Sequence, residues 1–322
     1  MNASPKICVV GSSNIDLIAQ VPRLPKLGET LVGRSFHLGY GGKGANQAVM
    51  AAKLGAQVTM VTKVGRDVFG EGTLKNYREQ GIDTTYVLFD DARFSGVAPI
   101  FVDDEGRNVI VIVPGANDAL SPADVLNSHD AITHAQILIC QLEVPVPTTM
   151  EAFTIAKSLA GTAAKDVPRA KVMTLLNPAP ATPLPAELLQ LADICVPNET
   201  EAEQLTGIAV SSIQDAEIAA WQLLARGPKT VIVTLGERGA LVLDADGARH
   251  APAVQVNAVD TTGAGDAFVG SLAVFLGEGA SLDDAVRRAN AVAALSVTKI
   301  GTQVSFPTRA AVDKFLKELK LI

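Results

Sequence analysis

The chain has 322 residues, of which 48% are hydrophobic and 19% charged, and this composition excludes a largely disordered protein. It provides enough apolar material for a large α/β core. The net charge of -7 at pH 7 argues against nucleic acid or an anionic membrane as the main partner, because either would favour a basic surface.

The cysteines, Cys8, Cys140 and Cys195, lie far apart in apolar surroundings, which is typical of buried free thiols in a reducing compartment. The four histidines are scattered, and none lies with cysteines or carboxylates at the spacing of metal ligands, so we expect no structural zinc. The N-terminus enters an apolar strand-like run without a signal-peptide core or a long apolar span. We therefore expect a cytoplasmic protein with no membrane partner.

Short apolar, β-rich runs alternate with helical stretches along most of the chain. This pattern predicts an α/β fold in which helices cover a mostly parallel sheet. The candidate central strands are 7–10, 58–64, 137–142, 172–176, 194–196 and 231–235. The clearest helices, 45–54, 70–80 and 200–205, each stop at or just before a glycine.

Two segments, about 17–40 and 95–113, interrupt this pattern with alternating or β-branched residues, prolines and glycines. The residues from Asp103 to Gly106 predict a hairpin turn between two strands. We therefore expect the chain to leave the α/β body twice and build a small separate sheet, which is either a lid or an ordinary antiparallel edge. There is no internal repeat or low-complexity linker, so we expect one domain over 1–322.

The strongest local motif is DTTGAGDAF at 260–268, where a strand-like run is predicted to end and an apolar helix to begin. Gly263 and Gly265 let backbone N–H groups face outward at the helix start, where the helix dipole favours a phosphate or an oxyanion. Asp266 in the first turn can accept a proton from an attacking hydroxyl. The dipole should weaken this base, which a loose phosphoryl-transfer transition state tolerates. A plain helix cap is the alternative interpretation.

A polar cluster, GYGGKGANQ at 39–47, precedes an apolar helix. It lacks the spacing of a Walker A loop and the Ser or Thr after its lysine. Lys43 and Asn46 offer donors to hydroxyls or to a phosphate, although a flexible turn has the same composition. Asn14 and Asp16 follow the first strand at the sheet edge where ligands bind, and they suit vicinal hydroxyls or, alternatively, an Asx-turn.

Polar residues also follow two later strands. Asn198 and Glu201 can handle a nucleotide phosphate and a water-bound Mg²⁺, or they simply form an acidic first helical turn. The segment TLGERGA at 234–240 ends a strand in a tight turn. Its glycines permit close approach of a nucleotide, although a hairpin turn would look the same.

These four regions, in this order, resemble the ribokinase (PfkB) family of carbohydrate kinases over almost the whole chain. The GGKGANQA stretch from Gly41 and the DTTGAGDAF stretch from Asp260 are together highly specific. The resemblance implies a three-layer α/β sandwich with a small β-sheet lid that also pairs subunits in a homodimer. It implies transfer of the γ-phosphoryl group of ATP to a sugar hydroxyl, with lid closure limiting futile hydrolysis of ATP.

The resemblance also implies site residues, position by position. The sugar-binding positions are Asn14, Asp16, Gly42, Lys43, Asn46, Glu143 and Asp266. Asp266 matches the catalytic base, with an anion hole at Gly263, Ala264 and Gly265. The nucleotide contacts are Asn198, Thr234, Gly236, Gly239, Gly265 and Asn290, and Glu201 helps to organise Mg²⁺ through water. A monovalent-cation site, usually filled by K⁺, matches Asp260, Thr262, Ser296, Lys299, Gly301 and Ser305.

The choice of sugar depends on Asn14, because a side chain that donates and accepts can engage a 2-hydroxyl, whereas an apolar residue would suit a 2-deoxy sugar. We therefore expect D-ribose, phosphorylated at O5. The segment SGVAPIF at 95–101 resembles deoxyribokinases as much as ribokinases, so 2-deoxyribose is the alternative. Only 4% of the residues are aromatic, which disfavours nucleosides. A non-catalytic sugar or nucleotide sensor is the alternative of another class, against which the intact Asp266 argues.

Overall fold

The computed structural model describes residues 4–158 and 171–322. Its strands are β1 (Lys6–Val10), β2 (Asn14–Gln20), β3 (Ser35–Gly41), β4 (Gln57–Gly65), β5 (Asp83–Asp90), β6 (Gly96–Val102), β7 (Asn108–Ile110), β8 (Ile137–Cys140), β9 (Met173–Leu176), β10 (Ile194–Cys195), β11 (Thr230–Thr234), β12 (Ala240–Asp244) and β13 (Gly247–Ala251). Its helices are α1 (Lys43–Lys53), α2 (Val68–Glu79), α3 (Pro122–Asn127), α4 (His129–Thr133), α5 (Val146–Ser158), α6 (Ala186–Leu191), α7 (Glu199–Thr206), α8 (Ile213–Leu224), α9 (Ala264–Gly277), α10 (Leu282–Ser296) and α11 (Arg309–Glu318). Within the described ranges, no helix has the length and apolar character needed to cross a membrane.

Nine strands form the central sheet in the order β13-β12-β11-β10-β9-β8-β1-β4-β5. The strands from β11 to β5 run parallel, and β12 and β13 add an antiparallel edge. All six predicted central strands are confirmed. Their interiors are buried on both faces, which explains their nearly continuous apolar sequence.

Helices cover both faces of this sheet, because successive side chains of each strand point in opposite directions. In β1, Ile7 and Val9 pack in one core with residues of α1, α9 and α10. Cys8 and Val10 pack on the opposite face with residues of α3 and α5. The α/β sandwich of three layers is therefore confirmed.

A second sheet has the strand order β3-β2-β6-β7. The chain enters it directly after β1 and leaves β3 directly into α1, so the two sheets are joined beside the candidate site. The predicted turn is confirmed, because the amide of Gly106 donates to the carbonyl of Asp103 between the antiparallel strands β6 and β7. A small separate sheet therefore exists where the two irregular segments predicted one.

The sequence predicted that a strand-like run ends at Asp260, and this prediction is wrong. The segment 252–263 is irregular, because Pro252 ends the ladder of β13. The amides of Val259 and Asp260 donate instead to the carbonyl of Val297, just after α10, at 2.7 and 3.2 Å. The helix predicted after the glycines does begin there, as α9.

Candidate active site

Helix α9 opens with unpaired backbone amides. Gly263, its N-cap, has φ 78°, and a Cβ at this position would lie 2.5 Å from Cγ2 of Thr302, so only glycine fits without strain. The Ala264 amide donates to the carbonyl of Thr261 at 3.2 Å, whereas the Gly265 and Asp266 amides have no acceptor among the described residues. These free donors lie at the positive end of the helix dipole, where an anion is stabilised.

Asp266 is 7% exposed, and side chains of α1 hydrogen-bond to both of its carboxylate oxygens. Asn46 Nδ2 donates to Oδ2 and Gln47 Nε2 donates to Oδ1, each at 2.9 Å. Burial raises the pKa of Asp266, although the charge of Lys43 and these two hydrogen bonds act in the opposite direction. The carboxyl is therefore a stronger base than its place at a helix start alone would make it.

Buried amides that the sequence analysis did not single out support this carboxylate. Gln47 Nε2 also donates to Asn177 Oδ1 at 3.0 Å, and Gln47 Oε1 accepts from Gln141 Nε2 at 2.6 Å. On the other side, Asn46 Oδ1 accepts from Gln303 Nε2 at 3.0 Å. Three of these amides do stand out in the sequence, because Gln141 is a polar residue inside the apolar run 137–142, Asn177 directly follows the predicted strand 172–176, and Gln47 ends the polar cluster 39–47.

A cavity of about 150 Å³ lies at the start of α9. Lys43, Glu201 and Asp266 line it together with Gly263, Ala264 and Gly265. Burial lowers the pKa of Lys43, but the charges of Asp266, Glu143 and Glu201 outweigh it, and the net shift is upward. The cavity therefore combines a permanent cation, a carboxylate and free amides, the groups that a phosphoryl transfer needs.

The other candidate sugar residues come from β2, from the start of α1 and from the segment after β8. Asn14 and Asp16 share a face of β2, and Gly42 is the N-cap of α1. Glu143 Oε2 accepts from Ser12 Oγ at 2.5 Å and from the Lys43 amide at 2.9 Å. Burial, with the charges of Glu143 and Asp266, raises the pKa of Asp16 to about 7. These carboxylates therefore act on one another across a shared site.

The six candidate nucleotide residues line a single cavity of about 540 Å³. They are Asn198, Thr234, Gly236, Gly239, Gly265 and Asn290. The rest of the wall is largely apolar and includes Val254, Val256 and Val297. Gly265 lines both this large cavity and the small cavity that contains Asp266. The two cavities therefore meet at the start of α9.

The comparisons with known proteins agree with this geometry. The sequence profile of the pfkB family carbohydrate kinases matches residues 4–309. The chain belongs to the pfkB family of carbohydrate kinases. A deoxyribokinase of Salmonella typhi is 43% identical over 311 residues, which cover 96% of this chain and 98% of that enzyme. A ribokinase of Mus musculus is 44% identical over 306 residues, which cover 94% of this chain and 91% of that enzyme.

Among solved structures, the ribokinase of Arabidopsis thaliana in complex with ribose and ATP has a TM-score of 0.89 at 32% identity, over 98% of this chain and 99% of that one. The pfkB-family protein described here is thus an ATP-dependent sugar kinase of the ribokinase type. This confirms the predicted enzyme class. The kinase names of the relatives include both ribose and deoxyribose enzymes.

In this pfkB-family kinase, Asn198 and Glu201 form a capping box at the start of α7. The Glu201 amide donates to Asn198 Oδ1 at 2.8 Å, and the Asn198 amide donates to Glu201 Oε2 at 2.9 Å. Burial raises the pKa of Glu201, with the Asn198 amide and Lys43 acting in the opposite direction. The capping interpretation of this motif is therefore confirmed, and the same two residues also line the small cavity.

The candidate monovalent-cation residues lie in two segments, one before α9 and one from the end of α10 to Ser305, and Asp260 connects them. Its Oδ1 accepts from the Thr262 amide and its Oδ2 from the Gly301 amide, each at 2.9 Å. The hydroxyls of Ser296 and Ser305 donate to nearby carbonyls at 2.8 Å and are already used. None of the six candidate carbonyls, those of Asp260, Thr262, Ser296, Lys299, Gly301 and Ser305, accepts a hydrogen bond from a described residue. Such unpaired oxygens suit a weakly hydrated cation.

Proposed function

We propose that this kinase transfers the γ-phosphoryl group of ATP to O5 of D-ribose, giving D-ribose 5-phosphate and ADP. The observation that supports it is the shared cavity at the start of α9, where the Asp266 carboxylate, Lys43 and free amides meet the large cavity. In this proposal, O5 forms a bond to the γ-phosphorus while the bond to the β,γ-bridging oxygen breaks. ADP leaves with that electron pair, and the hydroxyl proton passes to Asp266.

The anion hole stabilises the charge that develops on the transferred group. We assign this role to the backbone at Gly263, Ala264 and Gly265, with the helix dipole behind it. The Ala264 amide is partly engaged by Thr261, so we expect the Gly263 and Gly265 amides to be the main donors of the three. The nucleotide occupies the large cavity, with its base against the apolar wall.

The proposed sugar-binding set is Asn14, Asp16, Gly42, Lys43, Asn46, Glu143 and Asp266. Asn14 favours ribose, because its amide can pair with a 2-hydroxyl. The alternative substrate is 2-deoxyribose, which the 43% identity to a Salmonella deoxyribokinase supports.

A panel of pentoses tests this assignment. ADP formation is measured by a coupled assay with D-ribose, 2-deoxy-D-ribose, D-arabinose and D-xylose, against the rate without sugar. We expect D-ribose to have the highest kcat/KM, and NMR of the product to place the phosphate on O5. If kcat/KM is higher for 2-deoxyribose, that sugar becomes the assigned substrate in place of ribose.

The residues around the small cavity also fit Mg²⁺, held through water by Glu201. One oxygen of this carboxylate pairs with the Asn198 amide, which leaves the other to a metal-bound water. Bound Mg²⁺ would offset the charge of the ATP phosphates. In this proposal, Asn198 fixes the direction of the Glu201 side chain and also contacts the nucleotide.

We further expect K⁺ to raise kcat/KM, because the six unpaired carbonyls at and near Asp260 include those of the loop that opens α9. In Asp260→Ala, the loop before α9 loses its bond from the Thr262 amide, and the bond from the Gly301 amide across to this loop is lost as well, so activation by K⁺ should disappear. Kinetics in KCl against tetramethylammonium chloride at equal ionic strength measure this effect. Equal activation in the parent and the variant would remove Asp260 from the proposed site.

Sugar binding should release a proton below pH 7. The pKa of Asp16 is about 7 in the free protein, and sugar hydroxyls that donate to its carboxylate would favour the charged form and lower that pKa. Affinity should therefore rise from pH 6 to pH 8. Calorimetry at pH 6.5 in two buffers of different ionisation enthalpy measures the released proton. Asp16→Asn should abolish the release, and proton uptake by the parent would contradict the role of Asp16.

We propose that the second sheet is a lid within a single domain and that it pairs two copies of the chain. Large apolar side chains are exposed on it, including Phe36, Leu38, Val109 and Ile110. Sedimentation of the parent and of Leu38→Glu tests this pairing, since the charge should produce a monomer. A monomeric parent at assay concentration would contradict it.

Cytoplasmic localisation is also part of the proposal. It is supported by Cys8, Cys140 and Cys195, which are free and buried. Burial raises the pKa of the Cys8 and Cys195 thiols to about 12, so these thiols stay protonated and unreactive at neutral pH.

A further inference from the structure

Asn117 is a buried amide that no sequence motif indicated. It is 1% exposed and lies in a short 3₁₀ turn, Gly115–Ala119. Its Oδ1 accepts from the Ser13 amide at 2.9 Å, and its Nδ2 donates to the carbonyls of Ser13 and Pro114 at 3.1 and 3.0 Å. A backbone N–H only donates and a carbonyl only accepts, so these three partners fix which end of the Asn117 amide is nitrogen.

This orientation determines that of Asn14. Asn117 Nδ2 lies 2.8 Å from the Asn14 side chain, so the Asn14 atom facing it must be the acceptor, Oδ1. The Nδ2 group of Asn14 therefore points away from Asn117, and it has no acceptor among the described residues. Asn14 is itself 4% exposed, so this donor has little access to bulk water.

The surroundings of the pair leave it little freedom to turn. A Cβ at position 96 would lie 2.2 Å from Asn14 Oδ1 and 2.3 Å from Asn117 Nδ2, so the chain needs Gly96 to pass the two amides. Asn14, Asn117 and Glu143 line one cavity of about 400 Å³. On the same face of β2, Asp16 offers a carboxylate, an acceptor when ionised.

We propose that Asn117 is a positioning residue that fixes Asn14 as a hydrogen-bond donor to the sugar 2-hydroxyl and thereby sets the discrimination between ribose and 2-deoxyribose. The proposal rests on the proposed function, in which Asn14 holds the sugar. A 2-hydroxyl accepts from Asn14 Nδ2, whereas a 2-deoxy sugar leaves this buried donor without a partner. Loss of that bond should reduce kcat/KM by at least about tenfold.

A sugar with fluorine at C2 distinguishes whether Asn14 donates to the 2-hydroxyl or accepts from it, because fluorine accepts a hydrogen bond weakly and cannot donate one. The parent is assayed with D-ribose, 2-deoxy-2-fluoro-D-ribose and 2-deoxy-D-ribose. If Asn14 presents Nδ2, kcat/KM should fall in that order. If the fluoro sugar is poorer than the deoxy sugar, Asn14 presents its oxygen and the proposal is overturned.

Asn117→Asp tests the positioning role with almost no change of shape. One carboxylate oxygen still accepts from the Ser13 amide, but the other replaces the Nδ2 group and should draw the Asn14 NH₂ toward it. The ratio of kcat/KM for ribose to that for 2-deoxyribose should fall at least about tenfold, mainly through KM, and the fluoro sugar should become the poorest. The same change at the exposed Asn127 is the matched control.

Asn117→Ser is a second variant for the case that Asn117→Asp does not fold, because it removes the contact with Asn14 without adding charge. In this variant, the ratio of kcat/KM for ribose to that for 2-deoxyribose should fall, but the fluoro sugar should still have a higher kcat/KM than the deoxy sugar. Circular dichroism and Tm show whether each variant is folded. If folded Asn117→Asp or Asn117→Ser keeps the preference of the parent for ribose over 2-deoxyribose, the role of Asn117 is overturned.

If the parent phosphorylates no pentose, the proposed function itself fails. If it phosphorylates ribose but the analogue order is wrong, only the inference about Asn117 and Asn14 fails.

Discussion

Replacement of Asp266 by asparagine is expected to lower kcat by about 10²- to 10⁴-fold, the range typical for loss of a positioned general base. The buried carboxyl is the proposed acceptor of the sugar proton, and its pKa is raised above the usual range. An amide of the same shape cannot take up that proton. KM for the sugar should change far less, because the other sugar-binding residues are untouched. Steady-state kinetics with ribose and ATP measure both parameters.

The same substitution at Asp91 is the control, since that side chain is 77% exposed and lies in a surface ion pair with Arg66. It should leave kcat within about twofold, because surface changes of this kind have small effects. A kcat for Asp266→Asn close to that of the parent would show that another group accepts the proton.

Replacement of Lys43 by methionine is expected to lower kcat/KM by about 10²-fold, comparable to removal of one donor from an oxyanion site. Lys43 is the cation of the small cavity, and three carboxylates, Asp266, Glu143 and Glu201, raise its pKa. Without it, the acidic cluster would repel the phosphates of ATP. Loss of its charge should also raise the pKa of Asp266 further and shift the acidic limb of the kcat profile to higher pH.

Lys75→Met provides the matched control, since this lysine is 76% exposed on α2. Both variants should retain the Tm of the parent within a few degrees, so that kinetics alone distinguish them. If Lys43→Met keeps its kcat/KM and its pH profile, Lys43 does not serve the transferred group.

The central strands could be predicted because burial on both faces leaves an almost uninterrupted apolar sequence. The sheet edges could not be predicted in this way. β5 begins with alternating exposed and partly buried residues and has one buried residue, and β13 has no fully buried residue, so neither gives such a run. The run before Asp260 has the apolar content of a strand but finds its hydrogen-bond partner at Val297, beyond α9 and α10. Local sequence carries no information on that partner.

The motifs that bind ligands through backbone groups were also predictable, because glycines at a helix start are visible in one short stretch. The buried amides were not. Gln47 meets Asp266 across 219 residues, and Gln303 meets Asn46 across 257. Asn117 meets Asn14 across 103 residues. Such pairs depend on the completed fold, and a single glutamine or asparagine in sequence is ordinarily a surface residue.

The central claim is that Asp266 and the amides that open α9 act together on one sugar hydroxyl. A crystal structure with D-ribose and a non-hydrolysable ATP analogue measures it directly, as the distance from the Asp266 carboxylate to ribose O5. We expect about 2.6–3.2 Å, with the γ-phosphate against the Gly265 amide. A different hydroxyl nearest to Asp266, or O5 beyond hydrogen-bonding reach in the closed complex, would contradict it.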